Sequence, residues 1–313
     1  MHESNDRNHL IIAGTNKSGT TAIFRYLGDH PSVALSKYKE LGFFLQPVEE
    51  CDGEILESYD SKFLISATVP QLLVEATPQY LHGGSKSATR ISAVIPDALV
   101  LFVLRNPTDR VLSYYRSSTG QQDLPTYGIA LDQFVSEAVE AMQVSDADVN
   151  QLPYRQRAFR QELNMSCYAK FLGAYVGEFG ADGVLVTFFD QLRSSPRELM
   201  NEICAFADID PSFYDNFVFR VENQTRVHRS AKLQVVSGSL NTRLEPLLNR
   251  YPVVRRAARD VYDMINVRPG QDVSISHATR QQLDNFFAPW NEKLADWISE
   301  TYPEKPLPDW LQR

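Results

Sequence analysis

Residues 9–29 read His-Leu-Ile-Ile-Ala-Gly-Thr-Asn-Lys-Ser-Gly-Thr-Thr-Ala-Ile-Phe-Arg-Tyr-Leu-Gly-Asp. The apolar run Leu10–Ala13 predicts a strand, Gly14 and Gly19 bound a loop, and the residues from Thr20 to Leu27 carry the spacing of an amphipathic helix. Strand, glycine-bounded loop and helix together hold an anion, because backbone N–H groups at the helix start converge on it and the helix dipole favours negative charge there. The spacing Gly-x-x-x-x-Gly is that of a nucleoside-triphosphate loop, but Thr20 follows the second glycine where such a loop has lysine. The lysine stands earlier, at Lys17. A phosphate-like ligand is therefore expected, held differently from ATP in an ordinary ATPase. Lys17 would reach a bridging or terminal oxygen, and Thr20 and Thr21 would add hydroxyl donors at the helix start; the alternative is a solvated surface lysine.

Outward from this stretch, strands and helices alternate. Gln71–Ala76, Ala98–Leu104 and Val184–Phe189 predict strands, and the continuous apolar run before Arg105 suits a parallel sheet covered on both faces. Helices are expected over Ser85–Ile95, Thr108–Ser117, Leu131–Met142, Ser166–Phe179, Ser194–Ala207 and Ala278–Ser299. This is an α/β fold with a central parallel sheet flanked by helices. No linker or repeat divides the chain, so 1–313 is expected to be one domain. The weakly patterned stretches 45–70 and 119–165 are expected to form acceptor-site loops or lids.

Composition narrows the function. The chain has 313 residues, 43% of them apolar and 22% charged, with a formal net charge of −8. That balance gives no general basic surface for nucleic acid or anionic membrane, so an anionic ligand must be held by a local cluster. Cys51, Cys167 and Cys204 are odd in number, widely spaced and without metal-ligand spacing. A reducing compartment follows, and with no apolar signal core and no run of about 18 apolar residues the expectation is a soluble, cytoplasmic protein that needs no metal.

Arg105, at the end of the apolar run Ala98–Leu104, falls where parallel sheets bind ligands, beyond the carboxyl end of a strand. A guanidinium there can grip a phosphate bidentately, and Ser113 lies eight residues further on. The alternative is that Arg105 pairs with Asp109 or Asp97. A nucleoside-triphosphatase should place an acid at such a strand end to hold Mg²⁺, and this chain places an arginine there.

Gly14–Thr21, Lys39–Phe44, Glu75–Tyr80 and Leu104–Tyr115, in this order, resemble the signature segments of sulfotransferases, above all the heparan-sulfate-type and bacterial branch. The resemblance runs from residue 9 to about 230. It implies a P-loop-like sulfotransferase fold and 3′-phosphoadenosine 5′-phosphosulfate (PAPS) as sulfonate donor, with 3′-phosphoadenosine 5′-phosphate (PAP) as product. It assigns Lys17, Ser18, Gly19, Thr20 and Thr21 to the 5′ side of that nucleotide and Arg105 and Ser113 to the 3′-phosphate. Arg226 and Arg229 match a late loop that closes over the nucleotide. Glu40 matches the carboxylate base of the Lys-Glu-x-x-Phe-Phe segment, and its place before an apolar pair predicts partial burial and a raised pKa. Lys17 becomes the cation that stabilises the leaving group.

Two positions depart from the heparan-type pattern: Gly42 stands where histidine is usual, and Ala76 where Glu-Lys-Thr-Pro has its lysine. His82 is a candidate substitute acid or base, and Glu75 a candidate to orient the acceptor or pair with Lys17. The acceptor is expected to be a small molecule, glycolipid or carbohydrate with a hydroxyl or, second, an amine; the oligomeric state is open. Two other functions fit parts of the pattern. A P-loop nucleotide kinase would turn over ATP with Mg²⁺, and a non-catalytic nucleotide-binding module would bind PAP without transfer.

Overall fold

The computed structural model describes residues 8–47, 53–65, 71–121, 123–220, 226–228, 267–269 and 275–312, of which 53–54, 226–228 and 267–269 are described in backbone only. Five parallel strands form the centre, in the order β2-β3-β1-β4-β5. They are β1 (Asn8–Gly14), β2 (Val33–Leu35), β3 (Leu72–Ala76), β4 (Leu99–Leu104) and β5 (Val184–Phe188). The apolar runs become the inner strands because both faces are covered: β1, β3 and β4 bury nearly every side chain.

Helix α1 (Thr20–Asp29) and a later helix, Pro196–Phe206, cover one face, packing on Leu10, Ile12, Val74 and Leu101. The other face, with Ile11, Leu73, Val100 and Phe102, lies under helices that include Tyr80–Gly83, Ser85–Val94 and Leu172–Phe179. A third apolar cluster, with no residue from the sheet, joins Val111, Phe134, Phe159, Leu283 and Phe287. It belongs to Pro107–Ser118, Leu131–Met142, Tyr154–Asn164 and the long C-terminal helix His277–Thr301. That last helix is tied to the start of Pro107–Ser118 by two polar links, Thr108 Oγ1 to Asp284 Oδ1 at 2.6 Å and Arg280 to Asp109 Oδ1 at 2.7 Å.

In chain order the helices are thus α1, α2 (Gly53–Asp60), α3 (Tyr80–Gly83), α4 (Ser85–Val94), α5 (Pro107–Ser118), α6 (Leu131–Met142), α7 (Tyr154–Asn164), α8 (Leu172–Phe179), α9 (Phe189–Ser194), α10 (Pro196–Phe206) and α11 (His277–Thr301). Arg226–His228 pairs antiparallel with Val267–Pro269 as a separate ribbon, β6 and β7.

The structure amends the sequence expectations in four places. The edge strand β2 is too short for a period to be visible. The 45–70 stretch contains α2, and the 119–165 stretch contains, besides the expected helix α6, the helix α7. The expected helix 166–179 is a 3₁₀ turn at Tyr168–Lys170 followed by α8. The expected helix 194–207 divides at Ser195, whose following proline excludes it from the helical region; its ψ is 64°. Among the described residues no helix is long and apolar enough to cross a membrane.

Candidate active site

The carboxyl ends of β3, β1 and β4 lie side by side, with Ile12 level with Ala76 and Gly14 with Phe102. The loop after β1 is fastened to this edge by Thr15 N–H, which donates to Val103 O at 3.0 Å. Lys17 (φ 67°) and Gly19 (φ 85°) both take the left-handed conformation, which curls the loop back on itself. Gly19 is needed there twice over: a Cβ would stand 2.3 Å from Leu192 Cδ2 and 3.2 Å from Phe189 Cδ2. No side chain caps the start of α1. The hydroxyls of Thr15 and Ser18 are buried without a hydrogen-bond partner among the described residues.

Three cations surround this loop. Burial lowers the pKa of Lys17, and the charges of Arg105 and Arg110 lower it further, against a smaller opposing pull from Glu162. Arg105 leaves β4 and donates from Nη1 to Lys17 O at 2.9 Å, while its guanidinium lies 4.5 Å over the Phe189 ring. Tyr168 fixes the Arg105 backbone through a 2.9 Å bond to its carbonyl. The partner of Arg105 is thus the loop, whereas Asp109 pairs with Arg280 and Asp97 precedes the opposite end of β4. Ser113 is half-buried on α5.

Arg110 has a part that sequence reasoning missed. Its side chain is fully buried; Nη1 donates to Asn16 Oδ1 at 3.3 Å, Nε to Ser166 Oγ, and Nη2 to Glu162. It braces the loop from behind while adding positive charge. The available signal was an arginine directly before the apolar pair Val111–Leu112 in the first turn of a helix that follows a buried strand, a position where a buried charge must be fully paired.

Orphaned hydroxyls, an uncapped helix start and mutually repelling cations fit an anion with several oxygens. Among the described residues there is no group of three or more His, Cys, Asp or Glu that could hold a metal ion.

A model of the sulfotransferase domain matches residues 7–239. The chain belongs to the sulfotransferase family. It is 22% identical over 311 residues to the bifunctional heparan sulfate N-deacetylase/N-sulfotransferase 1 of Caenorhabditis briggsae, covering 97% of this chain and 31% of that protein. The human protein of that name is 27% identical over 205 residues, covering 64% of this chain and 22% of it. The chain therefore spans a third or less of these curated relatives. Its fold matches the crystal structure of a sulfotransferase from Alicyclobacillus acidocaldarius with a TM-score of 0.61 at 20% identity, covering 98% of this chain and 99% of that one.

In this sulfotransferase Glu40 is held on the same sheet edge. Its N–H donates to Ala76 O at 2.8 Å, its Oε1 takes Lys39 Nζ at 2.6 Å, and its Oε2 takes Gln79 Nε2 at 3.2 Å. The burial is partial, but the expectation of a raised pKa is corrected here. The side chain is 46% exposed. What desolvation there is pushes the carboxyl up, but the hydrogen bond and charge of Lys39, with the Gln79 amide, outweigh it and hold the group below its ordinary range.

Gly42 has φ 64° at the entry to the turn Phe43–Leu45, a conformation that suits glycine better than the histidine usual at this position. Ala76 is buried in the core shared with α1. Glu75 is fully buried and bonded to Tyr59, Tyr80 and Thr77, so the expected pairing with Lys17 gives way to three hydroxyls. Burial raises its pKa to about 7, against the lowering effect of those bonds. His82 lies edge-on to Phe171, and burial, then the Arg110 charge, push its pKa down to about 3, which keeps the imidazole neutral. The backbone of Arg226 is in β6; Arg229 lies outside the described residues.

Proposed function

We propose that this sulfotransferase moves a sulfonate group from PAPS to a hydroxyl of a carbohydrate, glycolipid or small molecule, with an amine as the second acceptor class. The observation that carries the reading is the Arg105–Lys17 link. It joins the loop expected to hold the 5′ side of the donor to the residue expected to hold the 3′-phosphate. The donor supplies the sulfonate and a phosphate leaving group of low basicity.

The chain supplies the rest. Lys17 and the α1 amino end offset negative charge on the leaving side as it develops, and Thr15 and Ser18 offer their hydroxyls. Arg105 and Ser113 fix the 3′-phosphate. Glu40 takes the acceptor proton. Its lowered pKa makes it a weak base that is ionised throughout the neutral range, suited to an acceptor hydroxyl that becomes acidic as it bonds to sulfur.

Amine acceptors enter because the curated relatives are named N-sulfotransferases. Transfer of labelled sulfur from PAPS to a panel of hydroxyl and amine acceptors tests the proposal. Lys17→Ala should lower kcat by about 10²–10³-fold and Glu40→Gln by about 10²–10⁴-fold. Full activity in Glu40→Gln would remove it as the base. Tight PAP binding without transfer to any acceptor would favour the non-catalytic alternative.

A further inference from the structure

Glu75 sits where an apolar side chain would be expected, with no exposed surface, bonded to Tyr59 and Tyr80 of an aromatic cluster that includes Phe44 and Phe63. Its Oε1 accepts from Tyr59 and Tyr80, each at 3.0 Å, and its Oε2 from Thr77 Oγ1 at 2.9 Å. Two of these hydroxyls accept in turn. Gly42 N–H donates to Thr77 Oγ1 at 3.2 Å, and Phe44 N–H to the Tyr80 oxygen at 3.3 Å. Glu40 N–H donates to the carbonyl of Ala76, the residue after Glu75. Alternate amides of the segment 40–44 are therefore tied to the end of β3, two of them through hydroxyls that Glu75 orients.

The direction of those bonds matters. Each hydroxyl has one hydrogen, and a carboxylate, which only accepts, draws both hydrogens toward itself and leaves lone pairs facing Gly42 and Phe44. Replacing a buried charge by an apolar group of like shape is often neutral or stabilising, so stability alone does not account for a carboxylate here.

We propose that Glu75 is a positioning residue for sulfonate transfer, fixing through Thr77 and Tyr80 the segment that presents Glu40 to the acceptor. The proposal rests on the reading of Glu40 as the base.

Glu75→Gln keeps the size of the side chain but turns a donor toward one of the three hydroxyls. Studied above the titration of Glu75, this variant should speed hydrogen–deuterium exchange at the Gly42 and Phe44 amides by about tenfold or more, leaving the β1 and β3 amides unchanged. Its kcat should fall by up to about a hundredfold, as expected for a displaced catalytic group, with KM for the donor unchanged. In a Glu40→Gln background the same substitution should cause no further loss of kcat. An equal loss in both backgrounds, or unchanged exchange at Gly42 and Phe44, overturns the proposal. Should Glu40→Gln prove fully active, the base reading fails by itself, and the exchange measurement still decides whether Glu75 fixes the segment. If Glu75→Gln does not fold, Thr77→Val removes the link to Gly42 together with one of the three donors to Glu75, leaves the Tyr80 link to Phe44, and is judged by the same exchange at the Gly42 amide.

Discussion

Replacing Arg105 by alanine should separate the two phosphate sites of the nucleotide. In the proposed site this side chain has two duties that differ in what they would do for a ligand. One N–H of its fork is spent on Lys17 O at 2.9 Å, which shapes the loop for any nucleotide with a 5′-phosphate. The Phe189 ring, 4.5 Å from the guanidinium, covers one face and holds the plane. The remaining N–H groups are the ones available to a 3′-phosphate. A hydrogen bond to a charged group contributes about 1.5–3 kcal/mol. Loss of the Lys17 bond should then weaken PAP and adenosine 5′-monophosphate alike, by at most about 1.5–3 kcal/mol. Loss of the phosphate contact should weaken PAP alone by a further amount of about the same size, or roughly 10- to 150-fold in Kd.

Isothermal titration of wild type and Arg105→Ala with both nucleotides gives four affinities. The quantity that matters is the change in the ratio of PAP to adenosine 5′-monophosphate binding, because effects on the loop cancel in it. The ratio should collapse by about one to two orders of magnitude. Arg105→Lys should recover only part of it, because an ammonium lacks the planar fork. An unchanged ratio with both affinities lowered would show that Arg105 serves the loop and leaves the 3′-phosphate to other groups.

Other perturbations test the frame around that site. Gly19→Ala combines a left-handed φ with a Cβ 2.3 Å from Leu192 Cδ2. About 1–2 kcal/mol of backbone strain and about 1–3 of overpacking should lower Tm by several degrees in calorimetry; an unchanged Tm would contradict the loop conformation. Lys17, lowered chiefly by burial, binds fewer protons folded than unfolded between its shifted pKa and the ordinary 10.5. Stability of the ligand-free protein should therefore rise with pH through that window. PAP binding there should take up a proton, seen as a dependence of binding heat on buffer ionisation that Lys17→Met abolishes. Arg110→Met strands a buried Glu162, whose carboxyl burial already pushes up, and should destabilise by about 3–5 kcal/mol. The deficit should grow as pH rises above the ordinary carboxylate value, and adding Glu162→Gln should recover much of it.

The sheet was legible because its inner strands carry their whole signal locally. Leu10–Ala13 and Ala98–Leu104 are apolar without interruption, and only a strand covered on both faces or a longer helix uses such a run. The site loop was legible for a similar reason, since glycines, a lysine and a helix start stand within a few residues of each other. What failed to show was structure whose stabilisation comes from elsewhere. In α7 only Phe159, Glu162 and Leu163 are buried, and its remaining residues, rich in Arg and Gln, give a helix period little to act on. The three residues of β2 pair with β3 at Val33–Leu72, a partner nearly forty positions away.

The two glutamates show the same limit at the level of chemistry. Glu40 precedes an apolar pair, and that neighbourhood in sequence suggested burial. In the fold Phe44 turns into the aromatic cluster while Glu40, in a left-handed conformation at φ 67°, is turned outward between Lys39 and Gln79. Glu75 lies inside a strand and takes the burial instead. Strand alternation sends its neighbours Val74 and Ala76 to the α1 side and Glu75 itself to the aromatic side. The carboxylate that is ionised and exposed thus stands at the surface, and the one that is buried underlies its segment through two hydroxyls. The proposed roles of base and positioning residue divide along that line. Which glutamate takes which part was decided by the left-handed turn at Glu40 and Gly42, whose folded conformation is fixed by amides reaching across to Ala76 and Thr77.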